Sequence, residues 1–250
     1  MILLELIEPA LLTGLLLLLG DFLKVHRIWL APALLLGLLG GWWYAQSTTW
    51  ISELWDFRGQ ELLNASMQVS VFGVFTLLLI ALQRPSALRF ALPYLMAMLL
   101  LPSLIQSLAE VWLYVTRFAG VDDATTQAHL AGSLTGLSIA LSMTALLYAV
   151  LLWSLDASTG IRVVLGMLAL LIAGMVLQAV SLLMQIDYLP EAARLWNSNT
   201  LIAEDSIMGQ FLETLIGYEA SPTLWHVLAY IGAIGVMIAM MSKIRKPYYE

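Results

Sequence analysis

The 250-residue chain is 61% hydrophobic and 11% charged, where a soluble domain is ~45–50% apolar and ~25% charged, so the composition excludes a soluble domain and marks a polytopic membrane protein. A net charge of −6 argues against a nucleic-acid partner. The absence of cysteine removes disulfides, thiolate metal sites and cysteine nucleophiles.

Seven apolar runs are long enough to cross a bilayer, which takes about 20 apolar residues. They are Ile2–Gly20, Ile28–Gln46, Met67–Leu82, Leu88–Thr116, Gln127–Leu155, Ile161–Ile186 and Thr223–Met241. The expected fold is all-α, a single seven-helix transmembrane domain over 1–250. The first run carries two acids, Glu5 and Glu8, and lacks the basic start of a signal peptide. A carboxylate in hydrocarbon is expensive, so an intramembrane acid is a functional hypothesis by default. Helical spacing of i, i+3 puts both on one face, where they repel unless a proton or a cation sits between them. Oxygen ligands suit hard cations. The bland alternative is a pair of acids tolerated at a helix N-terminus.

Lys24, Arg27, Arg84, Arg89, Arg162, Lys243, Arg245 and Lys246 fall on one side of the seven runs, against Arg58, Arg117 and Arg194 on the other. The positive-inside rule then places the N-terminus outside and the C-terminus in the cytoplasm. Gly37-x-x-x-Gly41 in the second run and Gly132-x-x-x-Gly136 in the fifth have the spacing of close helix contacts. The connection from Thr49 to Ser66 mixes Trp50, Trp55 and Phe57 with acids, including Glu61, and suits a short interfacial helix. Trp42, Trp43, Tyr44 and Trp153 sit at run ends, as interfacial aromatics do.

The fourth run, with Pro93 and Pro102, carries the polar stripe Ser103, Gln106 and Glu110 at i+3 and i+4 steps. Such a stripe faces the bundle interior, either as a helix-to-helix hydrogen-bond network or as a partner for Glu5 and Glu8. With the N-terminus outside, the first and fourth helices are antiparallel. Residues 1–85 and 88–187 are then candidates for inverted three-helix repeats, with a seventh helix added and a site between the halves. The long connection before the last run holds Ile207, Phe211, Leu212, Leu215 and Ile216 at helical spacing. Residues 206–219 therefore read as a helix lying flat on the outer face, before a last span over 223–241. His26, His129 and His226 have no ligand spacing, and no phosphate loop, nucleophile elbow or dinucleotide motif appears, so no enzyme activity is expected.

These residues carry a family resemblance. Leu4-Glu5-Leu6-Ile7-Glu8 followed by Ala10-Leu11-Leu12-Thr13-Gly14 is similar to the first Arg-Glu-x-x-Glu motif of the oxidase-dependent iron permeases. Gly59-Gln60-Glu61-Leu62-Leu63-Asn64 resembles their acidic segment before the third helix. Trp196, Ser206-Ile207-Met208-Gly209-Gln210, Leu212, Leu215, Gly217-Tyr218, Pro222 and Tyr230 resemble their last outer helix and last span. The departures are Leu4 in place of the motif arginine, Ser103 and Gln106 where the second motif has glutamates, and Asn64 where a second acid stands beside Glu61. The resemblance implies a plasma-membrane protein, multi-pass in the bacterial inner membrane, that moves or binds iron, or another hard cation, as substrate. Its metal residues would be Glu5, Glu8, Glu110 and Glu61. It also implies an exoplasmic oxidase, cytochrome or iron-binding protein as partner, beside membrane lipid. Two other readings stay open: a transport-inactive subunit that docks a periplasmic redox or metal-binding protein, and a proton-coupled carrier in which the glutamates share a proton.

Overall fold

The computed structural model describes residues 2–84, 89–118, 123–190, 192–203 and 206–244. Among the described residues there are eight helices and no strand: α1 (Ile2–Leu23), α2 (Leu30–Phe57), α3 (Gly59–Gln83), α4 (Leu92–Phe118), α5 (Asp123–Ser154), α6 (Ala157–Gln185), α7 (Ile207–Ile216) and α8 (Leu224–Met241). All but α7 are long and apolar enough to cross a membrane, so this is a multi-pass membrane protein.

The seven long helices alternate in direction. Lys24, Arg27, Arg84, Arg162 and Lys243 gather at one end, hereafter the basic end, where the Gln83 amide donates to the Met240 carbonyl at 2.9 Å. Arg27 pairs there with Asp21 at 2.7 Å and donates to Tyr148 at 2.8 Å, while the Tyr148 hydroxyl donates to Asp21, tying α1 to α5. At the opposite end Arg58 lies over the Tyr188 ring. Ser181 and Thr223 also meet there on the two nitrogens of His226, at 2.9 and 2.8 Å, joining α6 to the start of α8. His226 is thus a buried structural residue.

α1 is apolar all round, and Leu12, Leu16, Leu18 and Leu19 are fully buried, as befits a central helix. It packs against α4, α5 and α6. α2 lies on α4, where Gly37 meets Leu104, Gly40 meets Ile105 and Gly41 meets Leu108. Its other face presents Leu35, Leu38, Leu39, Trp42 and Trp43 outward, the surface that lipid covers. In the second glycine pair Gly132 faces open space, whereas Gly136 is buried. Tyr44, expected among the interfacial aromatics, is buried and donates to Asn64 Oδ1 at 2.6 Å.

The main neighbours obey an exchange rule. Swapping α1 with α4, α2 with α5 and α3 with α6 maps the α1–α5 pair onto α4–α2 and the α1–α6 pair onto α4–α3. The same swap leaves α1–α4 and α3–α6 unchanged. That is the pattern two inverted three-helix repeats would produce; the α2–α3 contact has no equal between α5 and α6.

Two connections differ from expectation. The stretch from Thr49 to Ser66 holds no separate interfacial helix. α2 continues to Phe57 with its regular backbone broken at Leu54, Trp55 and Asp56, and α3 begins at once at Gly59. A Cβ at Gly59 would fall 1.9 Å from the Ile51 carbonyl oxygen, so the tight hairpin needs glycine there.

The second difference is larger: α7 does not lie flat on a face. Ser206 caps it at the start by accepting from the Gly209 amide. The helix then descends between α1 and α6 until Leu215 and Ile216 share a small apolar cavity with Leu11, Leu15, Leu147, Met167, Leu170 and Leu171. It ends where Gly217, at φ 69°, touches Gly174. Gly174 lies eleven residues below Gln185 on α6, about 16 Å into the bundle at 1.5 Å per residue. The chain then climbs back beside residues 192–203, with Ser198 N donating to Ala220 O and Leu195 N donating to Pro222 O. The pattern that suggested an interfacial helix is real, but its polar face, Gln210, Glu213 and Thr214, lacks the basic residues of a surface helix. That face turns inward while Phe211 and Leu215 pack on the core. Irregular backbone at membrane depth is tolerated when protein buries it and its polar groups find partners. Here Gly217 N donates to Glu213 O at 2.8 Å, and the Tyr230 hydroxyl of α8 donates to Ile216 O at 2.7 Å.

Candidate functional site

Glu8 lies six residues into α1, about 9 Å from its start. Pro9 follows it, and its carbonyl accepts from the Thr13 hydroxyl at 2.6 Å. Across the α1–α4 interface the Ser103 hydroxyl, fully buried, donates to Glu8 Oε1 at 2.8 Å. Pro102 precedes Ser103, so each of the facing helices carries a proline beside its site residue. Glu5 sits in the first turns of α1, and its side chain lies outside the described residues.

The remaining carboxylate oxygen has company. Glu8 lines a polar cavity of about 230 Å³ together with Gln106 and Ser107 of α4, Gln178 of α6, and Gln210, Glu213 and Thr214 of α7. Among the described residues two acids, three carboxamides and two hydroxyls thus surround one space, and no basic side chain lines it. Behind Gln178 stands Gln68 of α3, 4% exposed, whose amide donates to Gln178 Oε1 at 2.9 Å. Its own Oε1 is the buried side-chain oxygen without a hydrogen-bond partner among the described residues.

No protein-family model matches the chain, and neither a curated protein nor a solved structure does so.

The structure therefore brings together Glu8, Ser103 and Gln106, as the stripes on the first and fourth helices predict. It does not bring Glu110 to them. Glu110 stands seven residues beyond Ser103, about 10 Å further along α4. It belongs instead with Glu61 of α3, both within electrostatic reach of Tyr44, where Asn64 also lies. Glu61 and Glu110 form a second polar group at the α2–α3–α4 junction, separate from the cavity at Glu8. Among the described residues no three His, Asp or Glu side chains converge on one metal position. A cation at Glu8 would thus draw on amide and hydroxyl oxygens as well as carboxylates.

Sequence reasoning missed Gln178, Gln210, Glu213 and Thr214. Gln178 carried a signal: it is a lone amide in the apolar run from Val163 to Val180. Glu213 carried none, because on a helix lying flat on the outer face it reads as one more acid turned to water or to a partner.

Proposed function

We propose that this chain is a divergent iron-permease-like membrane protein, and that Glu8 is its central cation ligand. The observation that supports the reading is the Glu8–Ser103 hydrogen bond, an acid in a span held at 2.8 Å across the α1–α4 interface and facing a polar cavity with Gln106. An acid costs too much in lipid to stand there without a compensating partner. The described lining offers oxygen donors and the side-chain amides of its glutamines, a set suited to a hard cation such as iron. A leucine-rich layer, Leu11, Leu15, Leu171 and Leu215, lies on the basic side of this cavity, so an ion reaching Glu8 would come from the opposite end. By the positive-inside rule that end is exoplasmic, and for an iron-permease-like protein the membrane would be the plasma membrane. An exoplasmic redox or iron-binding protein would deliver the substrate.

The test is iron binding by the purified protein and iron uptake by cells, each with Glu8→Gln. The expected result is loss of both, with the variant still folded. If the wild type binds no iron and Glu8→Gln changes nothing, the reading falls, and a transport-inactive subunit becomes the better account.

A further inference from the structure

The proposed function places a cation at Glu8 but leaves its charge unbalanced, because Ser103 and Gln106 are neutral. The structure supplies a second acid from an unforeseen direction. Glu213 projects from the last full turn of α7, inside the bundle, into the same cavity as Glu8. The two carboxylates are close enough to interact electrostatically. They approach from helices that run side by side, α1 and the descending α7, with Gln178 of α6 and Gln106 of α4 closing the other sides.

We propose that Glu213, carried in by the re-entrant helix, is the second carboxylate ligand of a divalent cation held with Glu8. This rests on the reading of Glu8 as a cation ligand. The geometry supports it on three counts. First, among the described residues the lining holds two carboxylates and no other charged side chain, which matches a divalent ion and leaves a trivalent one under-compensated in a poorly solvated space. Second, Gln106, Gln178, Gln210 and Thr214 provide neutral oxygens around the acids, so five or six oxygen donors are available without any further charge. Third, the polar chain continues through Gln178 to Gln68, whose buried Oε1 has no hydrogen-bond partner among the described residues. An amide pair of this kind can reorient when Gln178 turns its oxygen towards an ion. The position of Glu213 also makes the site conditional on α7: withdraw that helix and one of the two charges leaves with it.

Mn²⁺ is the probe, added to the purified full-length protein in detergent, with free ion followed by electron paramagnetic resonance and unfolding followed by temperature. The wild type is expected to bind one Mn²⁺ and to unfold at a higher temperature in its presence. Glu213→Gln should weaken binding at least tenfold, and Glu213→Asp should fall between the two. If Glu213→Gln binds as the wild type does while Glu8→Gln does not bind, Glu213 is no ligand and the Glu8 reading survives. Equal affinity in Glu213→Asp and Glu213→Gln likewise overturns the role of the carboxylate. If Mn²⁺ binds none of them, or binds all of them alike, the divalent site with Glu213 falls, and the Glu8 reading is decided separately by iron binding to the wild type and to Glu8→Gln.

Discussion

Gly217 ends α7 with its backbone against that of Gly174 on α6, so close that a Cβ on Gly217 would stand 2.7 Å from the Gly174 Cα. The contact is reciprocal: a Cβ on Gly174 would lie 3.0 Å from the Gly217 nitrogen. Gly217 is constrained twice, because its φ of 69° lies in the left-handed region. Gly217→Ala should therefore cost about 1–2 kcal/mol for the conformation and about 1–3 kcal/mol for the overlap. Gly174→Ala should incur only the second. Thermal unfolding in detergent, compared across the two variants, checks the order.

The Tyr230 hydroxyl should matter more than its position in an ordinary span suggests. It satisfies the Ile216 carbonyl at the buried end of α7. Tyr230→Phe keeps the ring and leaves that carbonyl unpaired, at about 1–3 kcal/mol. Hydrogen exchange should show faster opening of Ile207–Ile216 and little change in α1.

Ser103→Ala removes the donor to Glu8 without altering the apolar packing around it. The expected loss of stability is about 1–3 kcal/mol, since the Glu8 oxygen loses its buried partner. Ser103→Thr should restore most of it. A Ser103→Ala protein as stable as the wild type would show that water replaces the hydroxyl there.

Asp156, outside the spans, accepts from the Ser158 hydroxyl and from the Ser158 and Thr159 amides at the start of α6. The Ser158 hydroxyl bond first, then the Thr159 bonds, lower its carboxyl to about 2. A carboxylate held low in the folded state adds stability that is complete above its ordinary range and is lost as pH falls towards 2. The start of α6 should thus fray between about pH 4 and pH 2. Asp156→Asn should flatten that dependence, as read by amide exchange at Ser158 and Thr159.

Much of this structure was legible in the sequence, and the reasons are specific. Seven spans emerge because runs such as Leu11–Leu19 and Val163–Leu177 have no charge to interrupt them. Glu8, Ser103 and Gln106 stand out because polar side chains in such runs must find one another, and two of them bond. α7 was not legible as an inserted helix. Its ten residues have one apolar and one polar face, and an interfacial helix needs the same pattern. What separates the two outcomes is the Gly174–Gly217 contact, which joins residues 43 positions apart and leaves no local trace. Glu110, on the same stripe as Ser103 and Gln106, stands apart from the cavity at Glu8 for a related reason. A helical face gives direction but not height, and height takes it past Glu8 to Tyr44.

The depth of α7 also constrains how the protein is made. A ten-residue helix is about 15 Å long, half the thickness of the hydrocarbon core, and no bilayer accepts it as a span with its end carbonyls exposed to lipid. The membrane machinery can lodge α6 and α8 on hydropathy alone, but it has no means of placing what lies between them. α7 must dock afterwards, once α1 and α6 stand side by side and Tyr230 of α8 is there to receive the Ile216 carbonyl. The cavity around Glu8 is therefore the last part of the molecule to be completed, and a chain halted before that step is inserted but has no finished site.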